Sequence, residues 1–164
     1  MITLITGGVK SGKSRFALEL AKNKKDKFFI ATAEPIDDEM KLKIEKHKLE
    51  RKGEFTTIEE PIYLAKAISS IKNAQVCIVD CLNIWLNNLL YYDKLNQIEE
   101  LLKLLKNHNG FDLIFVSNEV GMGLTPTNKL SRRFINLLGD LNQRMASVSD
   151  AVYFMVSGLP LKIK

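Results

Sequence analysis

The chain has 164 residues, 46% of them hydrophobic and 26% charged, which suffices for one well-buried core and is short for two, so residues 1–164 are expected to form a single domain. A formal net charge of +5 suits polyanions, whether nucleic acid, an anionic membrane surface or a phosphorylated small molecule. No basic leader precedes an apolar core at Met1 and no apolar run reaches about eighteen residues, so a cytoplasmic protein without a membrane span is expected.

The first predicted element is a strand over Ile2–Thr6, and directly behind it stands GGVKSGKS. So flexible a loop costs conformational entropy, which is sensible only where bare backbone must approach something bulky and charged. Gly7, Gly12, Lys13 and Ser14 fit G-x-x-x-x-G-K-[ST], with a strand before and the helical stretch SRFALELAK after. Gly7, Gly8, Val9, Lys10, Ser11, Gly12, Lys13 and Ser14 are therefore expected to cradle phosphates: backbone N–H groups hold oxygens, Lys13 reaches the β- and γ-phosphates, and the Ser14 hydroxyl ligates Mg²⁺. The alternative is a glycine-rich turn with a fortuitous Lys-Ser.

A second predicted strand, Lys27–Ala31, leads into IATAEPIDDEM and the helical segment PIDDEMKLKIEKHKLERKG. Its acidic start and basic end, with Gly53 beyond, suit the helix dipole. His47 stands among Lys43, Lys46, Lys48 and Arg51, cations that would hold the imidazole neutral and attract a triphosphate, although from spacing alone a histidine in so lysine-rich a helix is most often a solvated surface residue. Gln75–Asp80 is the next strand. Asp80 at its end is a candidate for the metal's water shell or, alternatively, an N-cap for CLNIWLNNLLYY, where Trp85 belongs to the core. Cys77 and Cys81 lack the companions of a zinc site and read as buried thiols. His108, where a helix stops, carries no chemical signal.

Leu113–Ser117 and Ala151–Val156 complete the expected strands, separated by the long amphipathic stretch NKLSRRFINLLGDLNQRMASV, with Leu130, Phe134, Leu137, Leu141, Met145 and Val148 as its apolar stripe. Arg132, Arg133 and Arg144 on it are phosphate clamps, subunit contacts or plain surface residues. Apolar strands alternating with helices predict an α/β fold, a mainly parallel sheet covered on both faces, with ligands at the carboxyl ends of the strands.

Taken together, TGGVKSGKS, IATAEPIDDEM, KIEKHKLER, VSNEVGMGLTP, LNQRMA and the tail ending LPLKIK resemble the bifunctional adenosylcobinamide kinase / adenosylcobinamide-phosphate guanylyltransferase family of cobalamin assembly. The resemblance runs nearly end to end, and NEVGMG is more diagnostic than the phosphate loop. It implies a RecA-like P-loop NTPase that assembles as a homotrimer, with His47 carrying GMP derived from GTP. It further implies nucleotide contacts from the loop, from Ala33, Glu34 and Pro35, from Lys48, Leu49, Glu50 and Arg51, and from Glu59 and Asp80. The implied substrates are adenosylcobinamide with GTP or ATP, helped by Mg²⁺ and without nucleic acid. Lys10 stands where the family usually has arginine, Thr125–Pro126 replaces Val-Pro, and the segment after Leu90 is short. A plain small-molecule P-loop kinase and a non-enzymatic nucleotide switch or nucleic-acid binder are the competing readings; the paucity of free aromatic residues speaks against the last.

Overall fold

The computed structural model describes residues 1–34 and 53–164, and these build one seven-stranded sheet in the order β3-β2-β4-β5-β1-β6-β7. In chain order the elements are β1 (Ile2–Gly7), α1 (Lys13–Leu20), β2 (Lys27–Ala31), β3 (Phe55–Glu59), α2 (Leu64–Ser70), β4 (Val76–Asp80), α3 (Leu82–Tyr91), α4 (Gln97–Lys106), β5 (Asp112–Val116), α5 (Lys129–Val148), β6 (Ala151–Val156) and β7 (Leu159–Lys162). All neighbours pair in parallel except the β6–β7 hairpin.

The expected central strands are apolar on both faces because helices cover both. On one face Trp85, Leu86 and Leu89 of α3, Leu101 of α4 and Leu141 and Met145 of α5 pack against Leu4, Val79 and Phe115. On the other, Ala17 of α1 and Ala21, its C-cap, meet Ile5, Ile78 and Val116. Each large aliphatic side chain buried this way contributes about 1.5–3 kcal/mol relative to exposure. Leu130, assigned to the apolar stripe of α5, is 67% exposed: the stripe begins to bury only farther along, where Leu138, Leu141 and Met145 reach the sheet.

Two strands and one helix, α2, lie outside the sequence expectation, whereas α4 ends just before His108, where a helix was expected to stop. β3 (FTTIE) and β7 (LPLK) are edge strands with largely exposed side chains, so neither forms the apolar run that marks a buried strand. α2 and α4 are short helices that pack chiefly against one another and α5.

This topology brings one edge of the sheet together as a working surface. Register pairs Ala31 with both Asp80 and Glu59, and Asp80 with Val116, so the carboxyl ends of β3, β2, β4 and β5 finish at one level beside the β1–α1 loop. The opposite edge is closed by an ion cluster in which Asp112 accepts from Lys24 Nζ at 2.6 Å and from the N-terminal ammonium at 3.1 Å. Among the described residues no helix is long and apolar enough to cross a membrane.

Candidate nucleotide-binding site

At the working edge the backbone turns abruptly after β1. Gly7 has φ +144, and a Cβ there would lie 2.6 Å from the Met155 carbonyl oxygen; Gly12, at φ +98, ends the loop as N-cap of α1. No side chain caps α1, so the amides of its first turn point into the adjoining space unclaimed by a capping group. That space is a cavity of about 560 Å³. The loop residues Val9 to Ser14 form one wall, Asp80, Cys81, Val116 and Asn118 close the side toward β4 and β5, and Arg15, Ser157 and Gly158 close the side toward β6.

Lys13 is buried, and its Nζ donates to the Gly8 carbonyl at 2.6 Å, holding the ammonium across the loop. Burial lowers its pKa, while the neighbouring Cys81 and Asp80 oppose the shift. Asp80 ends β4 on the same cavity, and Ser14 of α1 also lines it. These two hard oxygen donors, side by side with a phosphate cradle, fit Mg²⁺, which takes few protein ligands and fills its octahedron with water and phosphate oxygens. The N-cap reading of Asp80 is corrected: the N-cap of α3 is Cys81, one residue on, and it makes no side-chain capping bond.

The Asp80–Cys81 peptide is cis and is held by one buried residue. Thr32 Oγ1 donates to the Cys81 carbonyl at 2.9 Å and accepts from the Cys81 N–H at 2.9 Å. Asn88 Nδ2 in turn donates to the Thr32 carbonyl at 2.8 Å, and Trp85 Nε1 to that of Ile62 at 2.8 Å, so α3 ties the chain beyond β2 to the end of β4. The Cys81 thiol is pushed up to about 12, by burial first and by the Asp80 carboxylate second, and stays protonated at neutral pH; Cys77 behaves likewise through burial. Both cysteines are free. At the end of β5, Ser117 Oγ donates to Asn142 Oδ1 at 2.6 Å and Asn142 Nδ2 to the Asn118 carbonyl at 3.0 Å, so α5 fixes the start of the NEVGMG segment.

Of the residues singled out in the sequence, the structure brings Val9, Lys10, Ser11, Gly12, Lys13, Ser14 and Asp80 onto one cavity, with Gly7 and Gly8 shaping the loop beneath it. Ala33 and Glu34 lie at the same edge of the sheet without lining that cavity; Glu34 accepts from the Tyr92 hydroxyl at 3.3 Å. Glu59 ends β3, two strands from Asp80. Pro35, His47, Lys48, Leu49, Glu50 and Arg51 lie outside the described residues. Arg132 donates to the carbonyls of Pro126 and Thr127, and Arg144 pairs with Glu99 at 2.6 Å, so both serve the chain's own structure. His108 is also structural, its Nε2 lying 2.8 Å from the Phe111 carbonyl oxygen. Sequence reading gave no site role to Thr32, Asn118, Arg15 or the Ser157–Gly158 turn and read Cys81 only as a buried thiol; Arg15, directly behind Gly-Lys-Ser, Asn118, opening NEVGMG, and the Ser-Gly dipeptide carried a local signal.

A mainly parallel sheet with a phosphate loop after the interior strand β1 and an acidic residue ending β4, two strands away, defines a RecA-like P-loop NTPase. Solved structures agree on the fold. A KaiC-like protein from Pyrococcus horikoshii superposes with TM-score 0.51 at 18% identity, covering 93% of this chain and 71% of its own. A second protein from the same organism reaches TM-score 0.56 at 9% identity, over 99% and 85%. The chain belongs to the cobinamide kinase / cobinamide phosphate guanyltransferase family, whose model matches residues 3–163. It is similar to the bifunctional adenosylcobalamin biosynthesis protein CobP of Pseudomonas aeruginosa, 41% identical over all of this chain and 98% of the relative. It is also similar to the protein CobU of Escherichia coli, which carries the same description and is 32% identical over the full length of both.

Proposed function

We propose that this chain performs both reactions named by its family, as one domain: phosphorylation of adenosylcobinamide by a nucleoside triphosphate, then transfer of GMP from GTP to the adenosylcobinamide phosphate, in the cytoplasm. The observation that carries the reading is the meeting of a phosphate loop, a buried lysine and a strand-end aspartate on one cavity, in a chain matched to the family over residues 3–163.

In the first reaction the loop amides and Lys13 hold the triphosphate, and the corrinoid's side-chain hydroxyl oxygen attacks the γ-phosphorus. The bond from the γ-phosphorus to the β-γ bridging oxygen breaks, the nucleoside diphosphate leaves, and the hydroxyl proton passes to solvent. Positioning and charge neutralisation supply most of the acceleration in so loose a transition state. Mg²⁺, held by Ser14 and Asp80, would add positive charge at the phosphate oxygens.

In the second reaction a neutral His47 nitrogen attacks the α-phosphorus of GTP and pyrophosphate leaves. A phosphate oxygen of the phosphorylated corrinoid then attacks the same phosphorus, the P–N bond breaks, and the GDP-linked corrinoid forms. Ala33, Glu34, Pro35, Lys48, Leu49, Glu50, Arg51 and Glu59 are nucleotide contacts in this scheme, and the working assembly is a homotrimer.

Incubation with GTP labelled in the α-phosphate tests the scheme. The wild type should acquire an acid-labile, base-stable label, His47→Ala should lose the label and keep kinase activity, and Lys13→Ala should lose both activities. Label on the His47→Ala chain would overturn the histidine assignment, whereas phosphorylation of the corrinoid with no label on the wild type would leave a plain kinase.

A further inference from the structure

We propose that the side-chain amide of Asn118 donates a hydrogen bond to the γ-phosphoryl group during its transfer, which makes Asn118 a catalytic residue of the kinase step; this rests on the two-step reading above. The nucleotide contacts proposed at Ala33, Glu34 and Glu59 put the nucleoside at the β2–β3 end of the sheet, so the triphosphate runs from there past β4 toward the loop behind β1. β5 lies between β4 and β1. Asn118 follows its last residue by two positions and lines the cavity shared by Lys13, Ser14 and Asp80.

The wall that carries Asn118 is poor in donors. Asp80 offers a carboxylate, Val116 an apolar side chain and Cys81 a thiol, which is a weak donor. The amides just beyond the strand ends are already engaged: Cys81 N–H donates to Thr32 Oγ1 at 2.9 Å, Asn118 N–H to Asn83 Oδ1 at 3.3 Å and Glu119 N–H to the Gly7 carbonyl at 3.0 Å. The Asn118 carbonyl accepts from Asn142 Nδ2 at 3.0 Å, so α3 and α5 fix its backbone from two sides. Its side-chain amide makes no hydrogen bond among the described residues and is the one uncommitted strong donor on this wall. The loop amides and Lys13 grip the phosphates from the β1–α1 side. During transfer the γ-phosphorus flattens, spreads its charge over three oxygens and parts from the diphosphate that the loop retains, so an oxygen turned toward β4 and β5 depends on this wall. A neutral donor fixed there binds that oxygen more tightly in the transition state than before it, and no proton changes hands.

Kinetics on the full chain with two labels separate the steps: γ-labelled GTP or ATP with adenosylcobinamide reports phosphoryl transfer, and α-labelled GTP alone reports guanylylation of the chain. Asn118→Ala should lower kcat for phosphoryl transfer by about 10²- to 10³-fold, the loss on removing one preorganised donor, and change KM for the nucleotide by no more than about threefold. Asn118→Asp, which keeps the volume and exchanges the amide for a carboxylate, should lose at least as much. The α-label should still appear on Asn118→Ala, because the γ-phosphoryl group then departs within pyrophosphate and is not transferred. The urea midpoint of Asn118→Ala should match the wild type, because the deleted amide bonds to nothing in the fold. Unchanged phosphoryl transfer would overturn the proposal, as would an equal loss of both reactions or a kinase loss accompanied by lost stability, which would make Asn118 a general phosphate contact or a structural residue. A wild-type chain that phosphorylates no corrinoid would instead remove the kinase reading and this proposal with it.

Discussion

Thr32 illustrates how much a single side chain does at this site. Its hydroxyl is wholly buried and serves both polar groups of Cys81, the residue directly after Asp80. Replacing it with valine keeps the shape, leaves the Cys81 N–H without this partner and takes one of two bonds from the Cys81 carbonyl, which keeps the Trp85 N–H, at a cost of about 1–3 kcal/mol. Urea unfolding of Thr32→Val should register that loss, and turnover should fall with it because the carboxylate of Asp80 is no longer aimed from a fixed peptide. Thr32→Ser, which retains the hydroxyl, should recover most of both. Lys13, by contrast, was legible from sequence because the loop supplies its whole context in consecutive residues, whereas Thr32 and Cys81 are 49 positions apart.

Among the elements, α5 does more than cover the sheet. Leu141 and Met145 bury its apolar side, and Asn142, beside Leu141, reaches Ser117 and Asn118 at the end of β5. Asn142→Leu would leave the Ser117 hydroxyl and the Asn118 carbonyl unpaired, so a loss of about 1–3 kcal/mol is expected in thermal or denaturant unfolding. Its larger effect should be on catalysis, since Asn118 lines the phosphate cavity. The long helix itself was readable from its periodicity, and so were the five buried strands. The edge strands β3 and β7 were not: with one sheet neighbour each and side chains in solvent, they have no need of an apolar sequence.

For the molecule as a whole, chemistry and anchoring occupy opposite ends of the sheet. The anchoring end holds Asp112, where burial alone would raise the pKa but the hydrogen bonds and charges of Lys24 and the N-terminal ammonium outweigh it and hold the carboxyl below the usual carboxylate range. A carboxyl depressed in the folded state stabilises the fold above its unfolded pKa and loses that contribution as pH falls through the folded value. Asp112→Asn should therefore lower Tm at neutral pH, and the gap to the wild type should close in acid; because the pair is partly exposed, added salt should narrow it too. Turnover at the distant phosphate loop should not change. A gap that widened in acid would contradict the assigned direction.

By itself the sequence determined the phosphate loop, the alternation of strands and helices, and the family likeness, because each of these is written in neighbouring residues or in the period at which apolar side chains return. Only the tertiary structure decided that Asp80 faces Lys13 across two strands, that Thr32 holds the Cys81 peptide, and that Arg15 lies against a turn more than a hundred residues away. Those pairings arise from sheet order and register, which depend on how distant segments bury one another and leave no mark on the residues that happen to meet.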